Sequence, residues 1–115
     1  MKQRLLVMNG QRIVQIEQMG TWKNQKVGNS GEIKPGIYNL YLAQNADKSR
    51  SYDGVVIHTS GDAIYQQVGK NCVTHARLDF DRVPEVGKLK IIRYSSDGKA
   101  QVGAVSVKME RSYSP

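Results

Sequence analysis

His58, His75 and Cys72 are the side chains of this 115-residue sequence whose types most readily suggest metal binding or nucleophilic chemistry. Zinc centres draw their ligands from short local spacings, and positions 58 and 75 fall outside them. In an extended strand, positions 72 and 75 point to opposite sides, so a thiol–imidazole pair would need a bend between them. A half-buried strand histidine is the commoner fate of such a residue. Asp79 and Asp81 would share one face if extended, but no general-acid partner stands near them, and Arg77 and Arg82 are placed to neutralise both. Gly69 lacks the strand–glycine–helix setting of a phosphate loop, and its role is expected to be a positive-φ turn. A serine elbow, a paired-carboxylate motif and a phosphate-loop lysine are all missing from the sequence. The reading is therefore a chain that is not an enzyme, with no metal and no cofactor.

At 115 residues the chain that must hold these side chains is long enough for one domain with a core of its own. A single cysteine excludes an internal disulfide and fits a reducing cytoplasm. The N-terminal apolar run Leu5-Leu6-Val7-Met8 ends at Asn9-Gly10, too short for a signal-peptide core, and no segment reaches the roughly 20 apolar residues of a membrane span. An intracellular, soluble protein is expected, with no membrane partner. Six tyrosines against one tryptophan and one phenylalanine favour half-buried strands, because a tyrosine ring can bury while its hydroxyl stays wet.

The strand signals are dense. Asn9-Gly10 between Leu5–Met8 and Arg12–Ile16 predicts a tight hairpin, since both central positions must accept positive φ. Residues 23–36 read as a long polar surface loop closed by Lys34-Pro35-Gly36. Residues 37–43 fit a strand with both faces partly covered, or a short helical turn. Gly54–His58, Ala63–Val68 and Cys72–His75, joined by Ser60-Gly61-Asp62 and Gly69-Lys70-Asn71, form a three-strand meander. Asp79–Pro84 reads as a loop or single helical turn. Lys88–Tyr94 and Gln101–Lys108 form a last hairpin around Asp97-Gly98. The expected fold is mainly β: a small antiparallel meander, as an SH3-like curled sheet or barrel, with an N-terminal hairpin and little helix. Residues 1–109 make a single domain, and 110–115 a flexible tail. An exposed edge strand would offer a route to self-association.

Net charge is +7, from 17 Lys and Arg against 10 Asp and Glu. Such an excess attracts polyanions or acidic proteins over a distance. The basic residues are scattered, however, and a solvated surface explains them as well. If nucleic acid is the partner, Lys26, Lys48, Arg50 and Lys70 on the loops are the expected contacts. Tyr38, Tyr41, Tyr52, Tyr65 and Phe80 could stack on bases, although a thin core needs most of these rings for itself.

One pattern goes further. Tyr52-x-Gly54-x-Val56, followed by Tyr65-Gln66-x-x-Gly69-x-x-x-Val73-x-His75, resembles the KfrB domain of accessory proteins from broad-host-range (IncP-type) conjugative plasmids. Met8–Arg12 and Lys34–Tyr41 are similar to short plasmid-borne members, including TraO-like conjugal transfer proteins. The resemblance covers roughly residues 5–107. It implies a bacterial cytoplasmic protein acting in plasmid maintenance or conjugal transfer, as a non-catalytic module that contacts a plasmid-encoded or host protein. Direct DNA binding by a basic sheet and loops is the alternative. The motif residues Tyr52, Gly54, Tyr65, Gln66, Gly69, Val73 and His75 would sit together on the meander, in a structural or a binding role.

Overall fold

The computed structural model describes residues 2–104, and within them the fold is mainly β with two short 3-10 turns. The predicted tail at 110–115 and the end of the last strand beyond Ala104 lie outside the described residues. Ten strands form two sheets, four-stranded (β3-β2-β1-β4) and six-stranded (β10-β9-β6-β7-β8-β5). The mainly-β expectation holds, and the strands stay as two open sheets rather than closing into a barrel.

The first sheet grows from the predicted hairpin. β1 (Gln3–Met8) and β2 (Gln11–Gln18) pair antiparallel around Asn9-Gly10, whose φ values of 53° and 74° are those of the tight hairpin turn. Met19-Gly20 repeats the device, with φ of 53° and 78°, and leads into β3 (Thr21–Asn29). This corrects the expected loop over 23–36. A strand with seven polar or glycine positions out of its nine carries no alternation to see, because it is an edge and most of its side chains are exposed. A bulge between Val14 and Gln15 shifts its register. Residues 37–43 divide between a three-residue strand, β4 (Gly36–Tyr38), and a 3-10 turn at Leu40–Leu42.

The second sheet contains the predicted meander, β6 (Tyr52–Thr59), β7 (Ala63–Val68) and β8 (Asn71–Ala76). β9 (Leu89–Tyr94) and β10 (Ala100–Ala104) add the last hairpin on the other side of β6. Ahead of the meander, β5 (Gln44–Asn45) pairs parallel with β8. A 3-10 turn at Arg77–Asp79 follows β8.

The two core clusters lie on opposite faces of the second sheet. Leu5, Val7, Val14, Ile33, Leu40 and Ile57 fill the space between the sheets. Val56, Ile64, Phe80 and Ile92 pack on the far side, and Val86 touches both clusters. The seam is closed by backbone. Glu32 N–H donates to Gly87 O at 2.7 Å, and a Cβ on Gly31 would lie 2.7 Å from that same oxygen. Gly31 and Gly87 both have positive φ, so the crossing needs glycine for space and for conformation alike.

Candidate functional site

Gln66 and His75 lie on β7 and β8, 0% and 1% exposed, and are bonded to each other across the sheet. The amide nitrogen of Gln66 is 3.1 Å from three carbonyl oxygens, those of Tyr52, Gly54 and Lys90. Carbonyls only accept, so the NH₂ must point at them and Oε1 must face His75. His75 Nε2–H then donates to Oε1 at 2.9 Å, and Nδ1 accepts the Tyr94 hydroxyl at 2.6 Å. The order of donors is fixed throughout: Tyr94 to His75 to Gln66 to backbone. Three aromatic rings wall the imidazole, Tyr52 and Phe80 edge-on and Tyr94 stacked. Burial holds the imidazole pKa down at about 4, and pushes the Tyr94 hydroxyl up to about 12 with help from Asp79 and Tyr52. Both ring nitrogens are occupied. The imidazole is neutral and committed to the fold, a cross-brace between β6, β7, β8 and β9.

Most of the predicted motif converges here. Tyr52 supplies a ring and a carbonyl, and Val73 is the cross-strand neighbour of Gln66. Gly54 is required because a Cβ would lie 2.0 Å from Gln67 O. Gly69 turns the chain between β7 and β8 with φ of 60°. Tyr65 does not join them. It points to the opposite face, packing on the inter-sheet core beside His58, with ring centroids 5.7 Å apart. His58 and His75 therefore face opposite sides of the sheet and cannot share a metal. Among the described residues His58 Nδ1 is buried without a partner, and burial, then the charges of Arg12 and Lys26, lower its pKa. Cys72 also faces the inter-sheet core, and burial raises its thiol pKa to about 11.

Two charge assignments are corrected. Asp79 is neutralised by Lys48, with Nζ 2.9 Å from Oδ2, and not by Arg77 or Arg82; Arg77 donates instead to Phe80 O. Lys48 also lies over the Tyr94 ring, 5.6 Å from its centroid. Lys48 lines an open cleft of about 320 Å³ together with His75, Leu78 and Tyr94. Lys48 is not the free loop cation that was expected. Lys26 stands on β3, not on a loop, opposite Val14. Arg50 and Lys70 are exposed near the β7–β8 turn, lining neighbouring shallow depressions that share Gln44 and Asn71.

What sequence reasoning missed is the outer face of the first sheet. Leu5, Val7 and Val14 turn inward, so Leu6 and Ile13 turn outward, and neither belongs to a core cluster. The register lines up Val27, Ile13, Leu6 and Ile37 as one apolar row across all four strands. Its ends are open, with Val27 and Ile37 at 55% and 56% exposure. Beside it runs a bonded polar row. Arg4 Nε donates to Gln15 Oε1 at 2.7 Å, and Gln15 Nε2 donates to Asn24 Oδ1 at 2.8 Å. Beyond it, the Arg4 guanidinium lies over Trp22 at 4.2 Å and Lys2 over Tyr41 at 5.1 Å, and the two rings are 6.2 Å apart. One signal could have found the inner part of this face. A two-residue turn at Asn9-Gly10 sets Met8 opposite Gln11, and hence Leu6 opposite Ile13.

Among the described residues, no helix is long and apolar enough to cross a membrane. The KfrB Domain matches residues 51–104, which is the second sheet without β5. Protein TraB of Escherichia coli is 34% identical over 106 residues, spanning 90% of this chain and 73% of the TraB chain. The likeness to that relative therefore extends well beyond the matched domain and into the first sheet.

Proposed function

This chain belongs to the KfrB-domain family, and from that premise we propose a non-catalytic, plasmid-related interaction module that works by contact with another protein. We place it in the bacterial cytoplasm, acting in conjugal transfer or plasmid maintenance, with a plasmid-encoded or host protein as partner. One observation carries the reading: among the described residues neither core cluster includes the outer face of the first sheet, where the Val27–Ile13–Leu6–Ile37 row is half-buried at Ile13 and Leu6 and open at its two ends, Val27 and Ile37. Exposed apolar surface arranged in a contiguous row marks an interaction site more often than scattered apolar residues do. The Gln66–His75 network, by contrast, has its hydrogen-bonding groups engaged within the fold.

The test is a plasmid-bearing strain carrying Val27→Asp with Ile37→Asp, two exposed positions where a carboxylate should not disturb the core. Transfer or retention of the plasmid should fall about ten-fold or more while the purified variant keeps its β-sheet circular dichroism. Unchanged transfer and retention would refute the reading.

Direct DNA binding is the second reading, favoured by the exposed Lys26, Arg50 and Lys70, whose charges are not drawn into the Lys48–Asp79 ion pair. It predicts duplex or single-strand affinity that falls steeply between two salt concentrations, because each neutralised phosphate releases counterions. Absence of binding at low salt would remove it. Self-association through the β3 edge is a further route, and the bulge and the two lysines on that strand oppose it.

A further inference from the structure

We propose that the outer face of the first sheet docks an acidic, apolar-bearing extended segment of a partner protein, which names the class of partner for the interaction module and rests on that reading. The row from Val27 to Ile37 crosses four strands and asks for apolar side chains in return. Strands are spaced about 4.8 Å apart, so the row is roughly 15 Å long, enough for alternate side chains of a short extended segment. Next to it stand two cations already fixed in position. Arg4 is held by Gln15 and by the Trp22 ring, and Lys2 by the Tyr41 ring. A guanidinium oriented in advance loses little side-chain freedom when it takes a carboxylate, and it does so with paired N–H donors. Glu17, opposite Trp22, is the acidic residue of the three strands β1 to β3, so the face as a whole is cationic.

Two other occupants fit less well. A second copy brings the same Lys2 and Arg4 and another net charge of +7, so like charges would meet across the contact. A single strand of nucleic acid needs open ring faces for its bases, whereas Trp22 and Tyr41 each have a cation over one face, and the apolar row offers nothing to phosphate.

Trp22 is the sole tryptophan of the sequence, so intrinsic fluorescence reports on this face directly. The full chain is titrated with a synthetic decapeptide of alternating Glu and Val, its Lys and Val counterpart, and a ten-nucleotide thymidine strand. The acidic peptide should give a saturable Trp22 change, at least ten-fold weaker in about 0.5 M salt than in 0.05 M, and at least ten-fold weaker for Ile37→Asp or Lys2→Glu. No saturable change up to millimolar peptide would overturn the proposal. So would equal affinity for the Lys–Val peptide, or tighter binding of the thymidine strand. If the peptide fails while Val27→Asp with Ile37→Asp still abolishes transfer, the interaction module survives and the acidic class falls. If the peptide binds and transfer is untouched, the docking surface stands and the plasmid role falls.

Discussion

Replacing Gln66 with leucine tests whether the buried network braces the second sheet. Leucine is close in size to glutamine, so the cavity contribution is small and the loss is polar. His75 Nε2–H loses its acceptor in a residue 1% exposed, and an orphaned buried donor costs about 1–3 kcal/mol. The amide's own two N–H groups, shared among the carbonyls of Tyr52, Gly54 and Lys90, take with them about 1 kcal/mol each. Together these give about 4 kcal/mol, a large part of the ~5–15 kcal/mol that stabilises a typical domain. With a urea slope of ~2 kcal/mol/M, the midpoint should drop by about 2 M. Urea unfolding is followed by circular dichroism, with Trp22 fluorescence as a second probe on the other sheet. A cycle with His75→Leu adds a check: the double variant should be less damaged than the sum of the two singles by at least about 1 kcal/mol. A loss below about 1 kcal/mol for Gln66→Leu, or strict additivity in the cycle, would refute the brace.

Acid should destabilise the fold in a window set by the histidines. Burial depresses the folded pKa of His75 to about 4 against 6.5 when unfolded, and His58 is depressed in the same direction. Above pH 6.5 both states are neutral and stability is full. As the pH falls from 6.5 towards 4 the unfolded chain alone gains the proton, costing about 1.4 kcal/mol per unit for His75, or about 3 kcal/mol in all. Urea midpoints at pH 7, 5.5 and 4.5 check the slope, and His75→Gln should flatten it. Gly54→Ala should fail to accumulate as folded protein, because its methyl would meet the Gln67 carbonyl at 2.0 Å; soluble yield and thermal unfolding report this. Cys72, with its thiol pKa raised to about 11, should react with Ellman's reagent at least ten-fold more slowly in native protein than in urea.

Local chemistry made much of this protein legible from its residues alone. Asn9-Gly10, Gly69 and Asp97-Gly98 mark turns because few other residues accept positive φ, and the β-rich runs between them become β1, β2 and the β6–β7–β8 meander. Of the motif that carries the resemblance to the KfrB domain, Tyr52, Gly54, Gln66, Val73 and His75 meet on the second sheet and Gly69 turns the chain between two of its strands, whereas Tyr65 faces the other side. Other features arise only when distant segments meet. β3 has no hydrophobic alternation because it is an edge whose side chains face water, so its strand state depends on the Met19-Gly20 turn and on β2 as a partner. Lys48 finds Asp79 because the segment after β5 folds back over the β8 end, a contact between positions that no local pattern links. Tyr94 meets His75 because β9 joins the far side of β6. The outer face, too, belongs to tertiary structure. Leu6 and Ile13 look like core residues in sequence, yet they stay half-buried and outside both core clusters, because Leu5, Val7 and Val14 on the other face of the sheet already fill the core between the sheets.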